Sequence, residues 1–313
     1  MSSKKISSRL LGGILAGALI VALTGCGSSG SSSSASAAAS ASTSAAATSS
    51  TSAASEKVAS AVSSGSDAEE GAAIQAIKKR GVLNIGTEDS AIGFGYMDPS
   101  TNEWSGLEVD LGKLVAESLG VEPKFQAVTT STRGQLLDSG DLDMVAATFT
   151  ITDERKLSYD FTEPYYTDAQ SVLVLKSSGL KTIDDFDGKK IGVSAGGTEK
   201  DSISAITDAK IDFVEYSDFA DAKMALSAGT IDGFAADSSI LLSYLDDSCT
   251  YIDTKFSPQP YGIATKKGSD LSAYINDLVV KWKEDGTIDK LIKDNGVQPS
   301  YTEDSSVSSS SNS

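Results

Sequence analysis

Beyond residue 71 the apolar positions fall into short blocks whose period changes from block to block. AAIQAIKKR (72–80) repeats at helical spacing and stops at Gly81, so a short helix is expected. VLNIGT (82–87) has the length and composition of a strand. GLEVDLGKLVAESLG (106–120) sets Leu107, Val109, Leu111, Leu114, Val115 and Leu119 on a helical face and ends on Gly120. EPKFQAV is a second strand. GQLLDSGDLDMVAATF predicts a short helix, a glycine turn and a buried strand at 143–147. SVLVLK (171–176) is a strongly apolar strand, and KKIGVSAGGTEKDSISAI (189–206) reads as strand, glycine-rich turn and helix. Strands follow at 211–216, 231–237 and 260–267, and helices at 218–229, 238–245 and 272–286. This alternation implies an α/β fold with parallel-rich sheets and helices on both faces.

The flanks have a different texture. Lys4, Lys5 and Arg9 form a basic start, residues 10–23 are apolar, and LTGC closes the run at Cys26. The apolar stretch is shorter than a membrane span needs. The order of features resembles a bacterial lipoprotein signal, which would make residues 1–25 a signal peptide and Cys26 the lipid-bearing residue. An ordinary secretory signal with a chance cysteine is the alternative. Residues 26–70 are almost wholly Ser, Ala, Thr and Gly, a composition unable to bury enough apolar surface to order itself. They read as a tether with a reach of about 40 Å. Residues 299–313 read as a disordered tail.

The chain carries 26 Lys and Arg against 43 Asp and Glu, which argues against nucleic acid as a partner. It has no histidine, so the commonest general base and metal ligand are missing, and with them any Ser-His-Asp or Cys-His arrangement. Its cysteines are Cys26 and Cys249; with Cys26 acylated no disulfide framework exists. Neither a metal nor a cofactor is called for.

TFTITDERKLSYDFTEPYY, from Thr148 to Tyr166, poses a local problem. Thr152 suits a helix N-cap, and Asp153 and Glu154 suit the positive end of the helix dipole. Arg155 does not. It is either a surface cation paired with Asp153 or Glu154, or a group aimed at an anion.

Taken in order, GLEVDLGKLVAESLG, DLDMVAATFTITDERKLSYDFTEPYY, IGVSAGGT, IDGFAAD and YGIATKKGSDL with WKEDGTIDKL resemble the solute-binding lipoproteins of ABC importers for polar amino acids. FGYMDPSTNEWSGLEVDL and VTTSTRGQLLDSGDLDMVAATFTITDERK are closest to the glutamate, glutamine and aspartate branch. The resemblance implies a type II periplasmic-binding-protein-like fold with two lobes. Residues 71–171 and 265–298 would form lobe 1, and residues 172–264 the hinge strands and lobe 2. It also implies that the protein is monomeric and lipid-anchored on the outer face of the cell membrane. Its partners would be a free amino acid and an ABC permease with its ATPase subunits.

A free amino acid presents a carboxylate and an ammonium on one carbon, and both need partners once they leave water. A planar carboxylate suits an arginine fork, and Arg155 matches the arginine that the family uses for it. Thr198, at the GGT turn, matches a second carboxylate donor through backbone N–H groups; a plain N-cap is its other reading. The ammonium acceptors match the Thr148 carbonyl, the Thr150 hydroxyl and Asp237, although the family often has glycine at Thr148 and Asp237 is also placed to cap the next helix. Phe94 matches an aromatic wall over the ligand. Arg133 matches an arginine that meets a distal carboxylate. Glu88 stands where acidic-ligand binders carry a cation, so it pairs with Arg133 and leaves an amide-reading site, or favours a cationic ligand such as arginine. The ligand expected first is glutamine or glutamate. The rival activity is an enzyme resembling cyclohexadienyl dehydratases, with Glu88 as its acid.

Overall fold

The computed structural model describes residues 71–299 and Tyr301. The signal-like run, Cys26, the tether and the rest of the tail lie outside the described residues. In chain order the elements are α1 (Ala72–Arg80), β1 (Val82–Thr87), β2 (Ser90–Ala91), β3 (Gly95–Met97), β4 (Trp104–Ser105), α2 (Leu107–Leu119), β5 (Glu122–Ala127) and α3 (Arg133–Ser139). Then come β6 (Met144–Val145), α4 (Asp153–Ser158), β7 (Tyr159–Phe161), β8 (Tyr166–Leu175), β9 (Lys190–Ser194), α5 (Glu199–Ser204), β10 (Asp212–Tyr216) and α6 (Phe219–Ser227). The chain finishes with β11 (Gly233–Asp237), α7 (Ser238–Ser243), β12 (Cys249–Tyr251), β13 (Phe256–Tyr261), β14 (Ala264–Lys266), α8 (Asp270–Glu284) and α9 (Thr287–Asp294).

Two sheets result, one in each lobe. The first has the order β5-β1-β6-β14-β7. Its first three strands are parallel, and β14 returns antiparallel between β6 and β7. The second has the order β10-β9-β11-β8-β12, with β10, β9 and β11 parallel and β8 antiparallel to its neighbours. A small antiparallel meander, β2-β3-β4, fills the connection from β1 to α2. Parallel strands need long crossovers, which the helices supply with their apolar stripes turned inward. Ile85 and Met144 of the first sheet pack with Leu111 and Val115 of α2 and Ile275 of α8. Val172, Val174, Ile191 and Val193 of the second pack with Phe186 and Ile203. Burying each such side chain contributes about 1.5–3 kcal/mol.

The hinge is made by two strands. The expected strand at 171–176 starts earlier, at Tyr166, because the polar residues Thr167, Asp168 and Gln170 continue it. That early half pairs with β13, matching Tyr261 to Tyr166 and Gln259 to Asp168. The later half pairs with β11, placing Asp237 beside Gln170. The single strand expected at 260–267 is two strands. β13 belongs with the second sheet and β14 with the first, and the chain passes between them at Gly262 and Ile263. A Cβ on Gly262 would lie 2.8 Å from Ile151 Cδ1, so a larger residue in this passage would have to push Ile151 aside. Tyr301, in the stretch expected to be free, donates its backbone N–H to the Thr167 carbonyl at 2.7 Å. Among the described residues no helix is long and apolar enough to cross a membrane.

Candidate functional site

The two lobes meet over a small cleft with about 260 Å³ of empty space, its open mouth included. Six of the eight residues expected at a site line it: Arg133, Thr148, Thr150 and Arg155 from lobe 1, Thr198 and Asp237 from lobe 2. Glu88 and Phe94 do not. Phe94 is buried edge-on against Tyr166 and Tyr261, with ring centroids 5.2 and 5.7 Å away. The structure therefore corrects the reading of Phe94 as a wall over the ligand: it is a core aromatic behind the hinge.

Arg155 sits where its local sequence predicts. Thr152 caps α4, its hydroxyl accepting from the Arg155 N–H at 3.1 Å. The guanidinium leaves the helix surface and turns toward the cleft. It pairs with neither Asp153 nor Glu154 at salt-bridge distance. Instead Nη1 donates to the Thr150 carbonyl at 2.8 Å and Nη2 crosses the cleft to the Gly196 carbonyl at 3.0 Å. Its carbon stands 5.0 Å from the Phe149 ring centroid, a cation–π distance. Burial, with the nearby Arg133 charge, lowers its pKa to about 10, so it stays cationic at neutral pH. A guanidinium has five donors, so two carbonyl bonds leave others to meet an anion.

Asp237 faces Arg155 from the opposite lobe. It precedes α7, yet its side chain does not cap that helix. Asp168, on the neighbouring hinge strand, does so instead: Ser238 Oγ donates to it at 2.8 Å and the Ser239 N–H at 3.0 Å. Asp237 is thereby released for other work. Its Oδ2 accepts from the Tyr261 hydroxyl. Its Oδ1 is buried with no hydrogen-bond partner in range, although the Gln170 amide lies near enough to favour the charged form. Burial raises its pKa well above the usual carboxylate range, helped by Asp168 and Glu199. A buried acid with an unsatisfied oxygen is an acceptor prepared for a cation.

Thr198 likewise fails to cap its helix through its side chain. Its hydroxyl accepts from the Gln170 amide and donates to the Gln259 carbonyl oxygen, both at 2.8 Å. The two hinge strands thus grip the glycine-rich turn. Thr150 bridges to Tyr261 of β13. Thr148 has φ of +44°, a backbone region that a β-branched residue rarely enters. The family's habit of glycine there is thus met here by a strained threonine.

Arg133 and Glu88 form the floor behind the cavity. Nη1 of Arg133 lies 3.6 Å from Glu88 Oε1 and donates to the Ala147 carbonyl. Its carbon is 4.1 Å from the Phe149 centroid. Thr130 and Thr148 hydroxyls also donate to Glu88 Oε1, each at 3.3 Å. Burial raises the Glu88 pKa to about 8, against the pull of Arg133.

Two acids were not anticipated. Glu199, 6% exposed, lines the cavity, and its Oε2 has no partner. Burial raises its pKa to about 7, opposed by its own N–H, Arg133 and Arg155. In sequence it reads as a helix first-turn acid, with nothing to distinguish it. Glu108 is fully buried behind Thr148, and a signal existed: Leu111, Gly112 and Val115 follow it at i+3, i+4 and i+7 on the buried face of α2.

The profile of the bacterial extracellular solute-binding proteins, family 3, matches residues 83–296. The chain belongs to that family. Among its relatives, the ABC transporter glutamine-binding protein GlnH of Bacillus subtilis is 35% identical over 249 residues, covering 75% of this chain and 90% of GlnH. The glutamine-binding protein of Geobacillus stearothermophilus is 32% identical, covering 66% of this chain and 85% of that one. Among solved structures, a mutant of ArgBP from T. maritima superposes with a TM-score of 0.66 at 32% identity, over 71% of this chain and 98% of the other. The ancestral amino acid-binding protein AncCDT-1, a precursor of cyclohexadienyl dehydratase, gives 0.66 at 30% identity, over 71% of this chain and 99% of that one. As a member of the solute-binding family the chain has the type II two-lobe fold.

Proposed function

We propose that this solute-binding protein captures a polar amino acid, glutamine first, and delivers it to an ABC permease driven by ATPase subunits. The observation that carries the reading is the opposition of Arg155 and Asp237 across a closed cleft. One supplies spare guanidinium donors for an α-carboxylate, and the other an unpaired oxygen for an α-ammonium. The Thr150 hydroxyl and the Thr148 carbonyl would complete the ammonium cage. Because the partners sit on different lobes, full contact exists only in the closed form, and that difference drives closure. The glutamine-binding relatives support the same class of ligand.

The floor of the cavity decides the side chain. Arg133 donates to the Ala147 carbonyl and faces Glu88, while its buried Nε has no partner, so Arg133 by itself does not exclude a distal carboxylate. Glu199 adds another acid. The unpaired Glu199 oxygen makes a donor-bearing side chain the better match, so glutamine ranks ahead of glutamate. The Glu199 oxygen without a partner favours arginine as the second reading, and the fold neighbours include an ancestral arginine-binding protein bound to arginine and also to glutamine. The dehydratase reading is set aside, because Glu88 does not line the cavity. The lipid anchor at Cys26 and the tether belong to this proposal too, supported by the lipobox-like order of residues 1–26.

Calorimetric titration of the purified protein with glutamine, arginine and glutamate tests it. One-to-one binding of glutamine, or of arginine as the second reading, is expected, with glutamate far weaker. No heat with any α-amino acid would overturn the proposal.

A further inference from the structure

Thr148 and the buried acid behind it carry an inference that rests on the solute-site reading and extends it. The Thr148 N–H donates to Glu108 Oε1 at 2.5 Å. The same oxygen accepts from the Tyr165 hydroxyl. Glu108 is fully buried, and its position is fixed from the far side as well. Its own N–H donates to the Phe94 carbonyl at 3.0 Å, and Gly106 lets that carbonyl approach closely where any Cβ would collide with it. Tyr165 is fixed in turn, since its N–H donates to the Tyr261 carbonyl at 3.0 Å. An acid in the first turn of a helix is ordinary, but it normally faces solvent; here it is fully buried and one oxygen holds two donors, which calls for a role.

We propose that Glu108 is a positioning residue of the solute site: it holds Thr148 in the left-handed backbone conformation that faces the cavity. A β-branched residue at φ +44° relaxes unless something holds it. A short bond from its N–H to a carboxyl that is itself fixed on both sides is such a restraint. Thr148 Oγ1 is held at the same time by Glu88 at 3.3 Å, so the residue is fixed at backbone and side chain by two different acids. The ammonium partner on this lobe is thus built by a helix whose side chain does not reach the cavity.

The test compares Glu108→Ala and Glu108→Gln in the wild-type protein and in a Thr148→Gly background, with glutamine as the probe. Glu108→Ala should weaken binding roughly ten- to hundredfold, the size of one lost hydrogen bond to a charged group. Glu108→Gln keeps an acceptor oxygen in place and should lose much less. With glycine at 148 the left-handed backbone needs no restraint, so Glu108→Ala should then weaken binding less than about threefold, a coupling that a generally destabilised fold would not show. Equal losses in both backgrounds, or unchanged binding in Glu108→Ala, would overturn the proposal. Deuterium exchange at the Thr148 amide reads the same bond without ligand. It should be slow in wild type and clearly faster in Glu108→Ala, or in Tyr165→Phe if the alanine variant does not fold; unchanged exchange would also overturn it. Slow exchange in wild type with no glutamine binding would count against the solute reading while leaving the Glu108 restraint standing.

Discussion

Replacing Asp237 by asparagine separates the binding role of this residue from any role in folding. The substitution keeps shape and removes charge. Asp237 Oδ2 accepts from Tyr261, and an asparagine would keep its single acceptor oxygen there. The amide NH2 then occupies the place of Oδ1, which has no partner in range, and points a donor at the expected ammonium. The ligand loses a charge-assisted bond and meets a like polarity. Truncating one partner of a buried charged pair costs about 2–5 kcal/mol, so affinity should fall roughly 30- to several thousandfold. The ligand-free protein should not suffer. Burial holds the Asp237 pKa well above its unfolded value, so unfolding releases that proton and stability falls as pH rises above the unfolded pKa. Asparagine removes this penalty, and the free variant should melt at or above wild type at pH 7. Thermal shift with excess glutamine is the assay. Ligand at 100 times Kd stabilises by about 2.7 kcal/mol, which for a domain of this size is roughly 5–10 °C. The variant should show almost none of that shift. A retained shift would remove Asp237 from the site, and a free variant melting far below wild type would refute the reasoning about its proton.

Glu88→Gln should raise affinity for glutamate relative to glutamine above about pH 8, where wild-type Glu88 is charged beside Arg133, and leave the preference nearly unchanged at pH 7, read by competition calorimetry. The same variant should gain stability over wild type as pH rises from about 4.5 toward 8, because the folded protein keeps the Glu88 proton to about 8 while the unfolded chain releases it near 4.5; a pH-independent difference would contradict this. Gly196→Asn tests closure. A Cβ at Gly196, where φ is +77°, would lie 3.2 Å from Ser131 Cα across the cleft, and asparagine tolerates the left-handed backbone. Small-angle scattering should show the ligand-induced contraction reduced, with the free protein melting near wild type; a contraction equal to wild type would mean that the lobes do not meet there.

Much of this architecture was legible in the chain. Helices such as α1 and α2 announced themselves through a helical apolar period and a closing glycine, signals that are local. Arg155 was legible for the opposite reason, as a cation in a helix turn that favours acids. The hinge was harder to read. Thr167, Asp168 and Gln170 break the apolar run of β8, and they belong to a strand only because β13 pairs with them about ninety residues later. The division of 260–267 at Gly262 follows from the different sheets that β13 and β14 join, which no local pattern reveals. Asp237 matches an ammonium acceptor and is also placed to cap the next helix, and only the fold shows Asp168 taking the capping role. Phe94 was assigned to the cavity by resemblance alone, and burial against Tyr166 and Tyr261 places it elsewhere. Glu199 and Glu108 were passed over because acids near helix starts are ordinary; what sets these two apart is burial, a property of the packed molecule.

The central claim is that Arg155 and Asp237 hold the two charges of one amino acid between the lobes. A crystal structure of the protein grown with glutamine tests it most directly. The claim predicts the ligand carboxylate on the Arg155 guanidinium and its ammonium on Asp237 Oδ1 and the Thr150 hydroxyl. Glutamine bound with neither group touching those side chains would contradict it.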